Sequence, residues 1–422
     1  MIKKLILFLL CLCMLFTAGC SYANTHTREE PVPTLNIASS FSSDIAAQTY
    51  QALSSTFASR YGLQILDNST LSGDAYTQKI INDFAAGNEP DVFYYPVDAA
   101  QTMIENGQVV SLEEIRRVYP QYATTLQAGI LEQLADENGH NWCVPILGTY
   151  QALYCNVELF EIYGAPLPYT WTDLMTAIDI FQKYNIVPIA AGFRDNTQFW
   201  LDHLILSYGT FEHSAVPLDI DDVPHTWGQA LVQLPRLNAM EAFPGNVTTL
   251  SHASAQTLFS SGRAAMILDS SDHLSLLGNE DTLIALSIPC QPPASAQKHL
   301  LVEYTSGLYI SRKAWENSTL RDAAVQFVMY MSSQEAVYRL IEDGAGYPAL
   351  SRERLTTMSS QDPLTQSVLE LALSSQLHTS ISHRLNRKAW VSLNSSMVQL
   401  YQGYSDIGRV LDDLIKYNSN QP

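Results

Sequence analysis

Few side chains in this sequence have the types and spacing for covalent chemistry. Asp269 and Asp272 form a pair of carboxylates of the kind a glycosidase uses, one as acid and the other as nucleophile or base. No Gly-x-Ser-x-Gly elbow and no His-Glu-x-x-His helix accompanies them. His378 and His383 are five residues apart, which does not set two zinc ligands on one helical face. Asp219, Asp221 and Asp222 cluster without the alternation of a cation loop and read as solvated charge. What remains is the chemistry of recognition. The chain has 22 Tyr and 6 Trp but only 15% charged residues, against an ordinary level of about 25%. Flat apolar faces carrying hydroxyls suit an uncharged, hydroxyl-rich ligand, and equally an aromatic-rich surface with no ligand at all.

A chain of 422 residues with 46% hydrophobic content has enough apolar material for two or three domains. Its net charge is −19, and −21 once Lys3 and Lys4 of the leader are left out. Nucleic acid and anionic membrane surfaces are poor partners for so acidic a body. No internal repeat or low-complexity tract is present.

The N-terminus is a targeting segment. Lys3 and Lys4 precede the apolar run Leu5–Phe16, which is shorter than the ~20 residues of a spanning helix and fits a signal peptide. The run ends in Thr17-Ala18-Gly19-Cys20, small residues before a Cys, similar to a bacterial lipobox with Thr17 where Leu is commonest. Acylation of Cys20 is expected, with residues 1–20 as signal peptide and lipobox and the polar, proline-containing residues 21–33 as a tether. Three further cysteines, Cys143, Cys155 and Cys290, lie in the body. A hairpin at 142–155 would allow Cys143 and Cys155 to pair; an extended passage at ~3.3 Å per residue would hold them apart, and buried free thiols are expected.

The elements that position the recognition residues begin as β-α-β: a strand Thr34–Ser40, a helix Asp44–Tyr61 and a strand Leu63–Leu66. A helix Asp74–Ala86 follows, stopped by Gly87 and Pro90, then a strand Asp91–Tyr95. Ligands of open α/β sheets sit beyond the carboxyl ends of strands, which nominates Ser40–Ser42 and Tyr94–Asp98. Further on, a helix Thr170–Tyr184, strands Ile186–Ala191 and Ala264–Leu268, one long helix Leu320–Ile341 and a helical stretch Leu364–Tyr417 are expected.

The stretch Trp142–Phe160 organises the whole. It holds two extended runs, Trp142–Leu147 and Ala152–Cys155, separated by Gly148-Thr149, where a strand could bend or end. Val144-Pro145, Leu153-Tyr154-Cys155-Asn156 and Leu159-Phe160 resemble the hinge-crossing signature of the extracellular solute-binding proteins of ABC importers, in the branch that includes maltose- and multiple-sugar-binding proteins. Cys155 stands where that family usually has Tyr. Further motifs follow in family order: Gly87-Asn88-Glu89-Pro90-Asp91-Val92, Gly107 to Leu112, Trp171-Thr172-Asp173-Leu174, Phe259 to Met266, Tyr304 to Ser311, and Gly344 to Ala349. The resemblance spans roughly Thr34–Leu350. After Met266 this sequence has Asp269 to His273 where sugar binders often carry Gly-x-Trp.

The resemblance implies a type II periplasmic-binding-protein-like α/β fold, two lobes joined by crossing strands with a ligand cleft between them. The implied lobes are 34–146 plus 305–347, and 147–304 plus 348–422. It implies a monomeric lipoprotein on the outer face of the cytoplasmic membrane, without cofactor or metal. Such a protein captures a carbohydrate by lobe closure and hands it to a permease. A peptide, polyamine or metal complex on the same scaffold is the alternative, and a lipid-anchored hydrolase a distant one. The expected ligand contacts are Trp200 as stacking face, with Ser40, Tyr95, Asp98, Tyr150, Asp269, Ser270 and Tyr347.

Overall fold

The computed structural model describes residues 32–41, 44–70, 73–127, 129–208, 225–291, 298–344 and 346–419. The leader, Cys20, nearly all of the tether, Ser42 and the Asp219, Asp221, Asp222 cluster lie outside the described residues.

Two sheets organise the chain. The first has the order β2-β1-β3-β9, from Gln64–Asp67, Thr34–Ala38, Val92–Pro96 and Ser306–Ile310. β1 runs parallel to β2 and β3, as the β-α-β reading requires, and β9 is antiparallel to β3. Between β1 and the stretch before β3, the Asp91 carboxylate accepts from the Asn36 amide at 2.8 Å. Helix Asp44–Tyr61 covers one face with helices Ser318–Met331 and Gln334–Glu342. On the other face Tyr76, Ile80 and Phe84 of helix Gly73–Ala86 pack with Phe93, Tyr95 and Tyr309. The expected single helix Leu320–Ile341 is two: Ser333 leaves the helical backbone, and its hydroxyl accepts from the Ala336 amide. A side-chain oxygen that takes an orphan amide starts a helix as readily as it interrupts one.

The second sheet is built on β4, Leu147–Asn156. Its order is β11-β8-β4-β6-β5, with β7 and β10 also on β4. The partners are Ser375–His378, Lys298–Glu303, Ala264–Ser270, Val187–Ala190, Leu283–Leu286 and Tyr347–Pro348 for β11, β8, β6, β5, β7 and β10. The expected break at Gly148-Thr149 does not occur, and β4 runs through it unbroken. Gly148 serves packing instead: a Cβ there would lie 2.8 Å from the Tyr304 ring. Helix Trp171–Lys183 enters through a Thr170–Asp173 capping box, worth about 1 kcal/mol, and buries Leu174, Ala177, Ile178 and Phe181. The C-terminal stretch is three helices, Pro363–Ser374, Arg387–Tyr401 and Ile407–Ser419, interrupted by β11.

The chain passes between the sheets three times. Val144 exchanges two 2.9 Å backbone bonds with Leu308 of β9, and three residues later β4 begins. β8 ends at Glu303 in the second sheet and β9 starts at Ser306 in the first. After helix Gln334–Glu342 the chain reaches β10, which pairs with Leu147 and Gly148. Glycine sets the spacing: a Cβ at Gly307 would lie 2.6 Å from the Cys143 sulfur, and one at Gly346, at φ +132°, 2.7 Å from the Gly148 carbonyl. One apolar cluster runs from Leu35 and Ile37 through Val144, Ile146 and Tyr150 to Tyr154 and Val302, joining the cores of both sheets. No disulfide joins Cys143, Cys155 or Cys290; the first two are buried, and burial pushes the Cys143 thiol up to about 12 despite a hydrogen bond with Tyr309.

Candidate functional site

β4 gathers four of the expected contacts. Ala152 and Gln151 stand opposite Asp269 and Ser270 of β6. Gly148 stands opposite Tyr347, and the Tyr150 and Tyr347 rings meet at 6.3 Å. Ser271 accepts the Tyr150 amide at 3.1 Å, and Thr149 donates to Asp272 at 3.2 Å. The segment after β6 is thus tied to β4 at the point where β4 enters the second sheet. Asp272 also reaches the first sheet electrostatically: burial raises the Tyr94 pKa first, and Cys143 and the Asp272 charge raise it further. Tyr94 stacks on Phe41 at 5.2 Å with the ring planes 5° apart, beside Ser40 at the carboxyl end of β1.

The polar centre is Asp269. Its side chain is fully buried, and it accepts from His252 Nε2 at 2.9 Å, His273 Nδ1 at 2.7 Å, Gln256 Nε2 at 2.9 Å and the Ser270 amide at 2.7 Å. Burial opposes ionisation, but the bonds from His252, His273 and Gln256 overcome it and hold the carboxyl at about 2. The bond to Asp269 raises the His273 pKa in turn. His252 opens helix His252–Ser260, where Ser251 is the cap, and its Nδ1 meets the Asn196 amide at 2.9 Å. Asp269 therefore orients the two imidazoles and is not itself open to a solute. His273, 40% exposed in its side chain, carries the polar edge outward.

Other expected residues fall elsewhere. Tyr95 and Tyr347 are 0% exposed and Tyr150 is 1% exposed, so all three form frame and not lining. The Tyr95 hydroxyl donates to the Thr77 carbonyl at 3.3 Å. Trp200, expected as an open stacking face, is 3% exposed and meets Phe243 edge-on at 4.7 Å. Every residue from Phe199 to Leu206 in its helix is buried, so no side of that helix faces solvent. Ser40 is partly exposed, Ser270 is buried beside Asp269, and Asp98 is exposed at the start of a helical turn after β3. The carboxylate pair Asp269 and Asp272 is engaged by histidines and by Thr149 and does not form an opposed acid and base. Sequence reasoning missed His252 and Gln256, whereas Tyr94 lies in the nominated stretch Tyr94–Asp98. Nothing local marks His252, which lies seventeen residues upstream of Asp269; only a fold that lays helix His252–Ser260 beside β6 brings them together.

Two α/β units threaded by three crossings, with a polar cluster where they meet, define a two-lobed binding protein of the periplasmic-binding-protein type. The chain belongs to the bacterial extracellular solute-binding protein family, whose model matches residues 42–338. No curated protein sequence matches it. Among solved structures it is similar to a probable secreted solute-binding lipoprotein from Streptomyces coelicolor, at 18% identity and TM-score 0.71, over 92% of this chain and 99% of that one. The apo form of RafE from Streptococcus pneumoniae aligns at 15% identity and TM-score 0.69, over 92% and 98%. Lmo0181 from Listeria monocytogenes, solved with cycloalternan, aligns at 16% identity and TM-score 0.59, over 91% and 97%. At these identities the likeness establishes the fold. The family is one of binding proteins and not of enzymes.

Proposed function

We propose that this chain is the carbohydrate-capturing subunit of an ABC importer, anchored through acylated Cys20 and acting as a monomer that passes its solute to a membrane permease. The lobes divide at the three crossings, close to 34–146 plus 305–347 and 147–304 plus 348–422. The observation that carries the reading is the approach of Asp272, which Thr149 bonds in one sheet, to Tyr94 of the other, where Tyr94 stacks on Phe41. His273 follows Asp272 in the chain and bonds Asp269. A sugar needs both, an apolar face for its C–H surface and aimed donors and acceptors for its hydroxyls. Ser40, Asp98 and Ser270 supply further polar atoms, while Asp269, Tyr150, Tyr347 and Tyr95 hold the lining in place. RafE has been solved with raffinose on the same fold, which agrees with an oligosaccharide.

The test is calorimetry with neutral oligosaccharides, peptides and polyamines. A neutral oligosaccharide should bind at roughly micromolar Kd, ~8 kcal/mol, and Asp272→Asn or Phe41→Ala should weaken it tenfold or more. Binding of a peptide or polyamine with no sugar response would refute the ligand class.

A further inference from the structure

We infer that His252, Asp269 and His273 form a binding site for a first-row divalent transition-metal ion. Their ligand atoms all lie within 4.8 Å of one another. Both ring nitrogens converge on the same carboxylate oxygen, at 2.9 and 2.7 Å. Bonds of about 2.1 Å to one ion separate nitrogen from oxygen by about 3.0 Å at right angles and about 3.4 Å at the tetrahedral angle, so those edges open by a few tenths of an ångström to about 0.7 Å. Drawing the nitrogens together takes a rotation of His273, whose partial exposure leaves room for it and gives the ion a way in.

The shell behind these three atoms distinguishes the cluster from a casual ion pair. A ligating histidine is normally oriented through its other nitrogen, and a ligating carboxylate is hydrogen-bonded in turn. Gln256 holds the second oxygen of Asp269 at 2.9 Å, and the Asn196 amide lies 2.9 Å from His252 Nδ1, where, turned to present Oδ1, it would accept the Nδ1 proton of a metal-bound imidazole. Charge points the same way. Asp269 bonds both imidazoles and the Asp272 charge acts on His273, so two carboxylates face the pair of rings. The nearby cation Arg194 is spent on Asp195 at 3.3 Å. Two imidazoles and one carboxylate with open positions suit Zn²⁺, Co²⁺, Ni²⁺ or Fe²⁺, and not the all-oxygen preference of Ca²⁺ or Mg²⁺. The inference shares His273 with the carbohydrate reading but does not rest on that reading.

The experiment uses the purified chain without a histidine tag, stripped with a chelator. Co²⁺ is followed by its visible absorption and Zn²⁺ by calorimetry. One equivalent should bind at micromolar Kd or tighter. His273→Ala, and the shape-conserving His273→Gln, should weaken binding at least tenfold while far-ultraviolet circular dichroism shows the fold retained, and Gln256→Ala about tenfold. Absence of Co²⁺ absorption and Zn²⁺ heat at 100-fold excess of metal over protein would overturn the site. So would binding that survives His252→Ala/His273→Ala, or a near-ultraviolet cobalt–thiolate band placing the ion on a cysteine. Oligosaccharide titration of the stripped protein, run separately, reads the carbohydrate proposal alone.

Discussion

Asp202 and His203 are adjacent, both 1% exposed, and tuned in opposite directions. Burial raises the Asp202 carboxyl to about 7, although the Ile381 amide and the Ser380 hydroxyl both donate to it. Burial lowers His203 to about 3. The folded Asp202 pKa lies above its unfolded value, so its contribution is complete below about pH 4 and is lost as pH rises toward 7. The folded His203 pKa lies below its unfolded value, so its contribution is complete above about pH 6.5 and is lost as pH falls. The two slopes oppose each other between pH 4 and 6.5. Asp202→Asn keeps the shape, accepts from Ile381 and can donate to Ser380. It should raise Tm at pH 8 and leave acid sensitivity uncovered, with Tm falling more steeply from pH 6.5 to 4 than in the parent. Thermal unfolding from pH 4 to 8 reads both limbs; an unchanged Tm at pH 8 would show Asp202 ionised at no cost. The same helix holds Trp200 inside the core and not at a cleft floor: Phe199-Trp200-Leu201 and Leu204-Ile205-Leu206 spread apolar side chains around its axis, and Asp202 and His203 between them are buried as well.

At the level of elements, punctuation was legible and long-range pairing was not. Gly87, Pro90 and the Thr170–Asp173 box announce themselves through local chemistry, whereas the Asp91–Asn36 bond joins residues far apart in the chain. β7, β8 and β11 were not foreseen, because their register is set by β4 and by helices far along the chain. The cluster around Asp269 was half legible: Asp269 and His273 share a segment, while His252 and Gln256 arrive on another helix. The crossings rest on absent side chains, and Gly307 is the sharpest case. An added methyl would meet the Cys143 sulfur at 2.6 Å and its Cβ at 2.9 Å. Gly307→Ala should therefore cost roughly 1–3 kcal/mol by overpacking. Cys143→Ala in the same chain should recover part of that loss, since the sulfur goes and the Cβ remains. Urea unfolding of the two singles and the double gives the coupling, and strict additivity would show that the clash is relieved elsewhere.

For the whole molecule, the family motifs lie in one linear order while the units they build are discontinuous. β9, which borders β3 through five residue pairs from Val92–Ile310 to Pro96–Ser306, comes after most of the second sheet in the sequence. Helix Ser318–Met331, which packs on β1, comes later still. A fragment spanning residues 32–303 should leave the amides of β1 and β3 unprotected against hydrogen exchange, whereas the full chain protects them. Protection in the fragment would show that the first sheet forms without its last strand. During synthesis, then, the Val92-Phe93-Tyr94-Tyr95 edge of β3 stays bare while more than two hundred residues follow it from the ribosome. A bare apolar edge invites pairing with a neighbouring nascent chain. The late arrival of β9 also keeps the first half of the protein unfinished, so a chain bound for export remains threadable until nearly three quarters of it has been made.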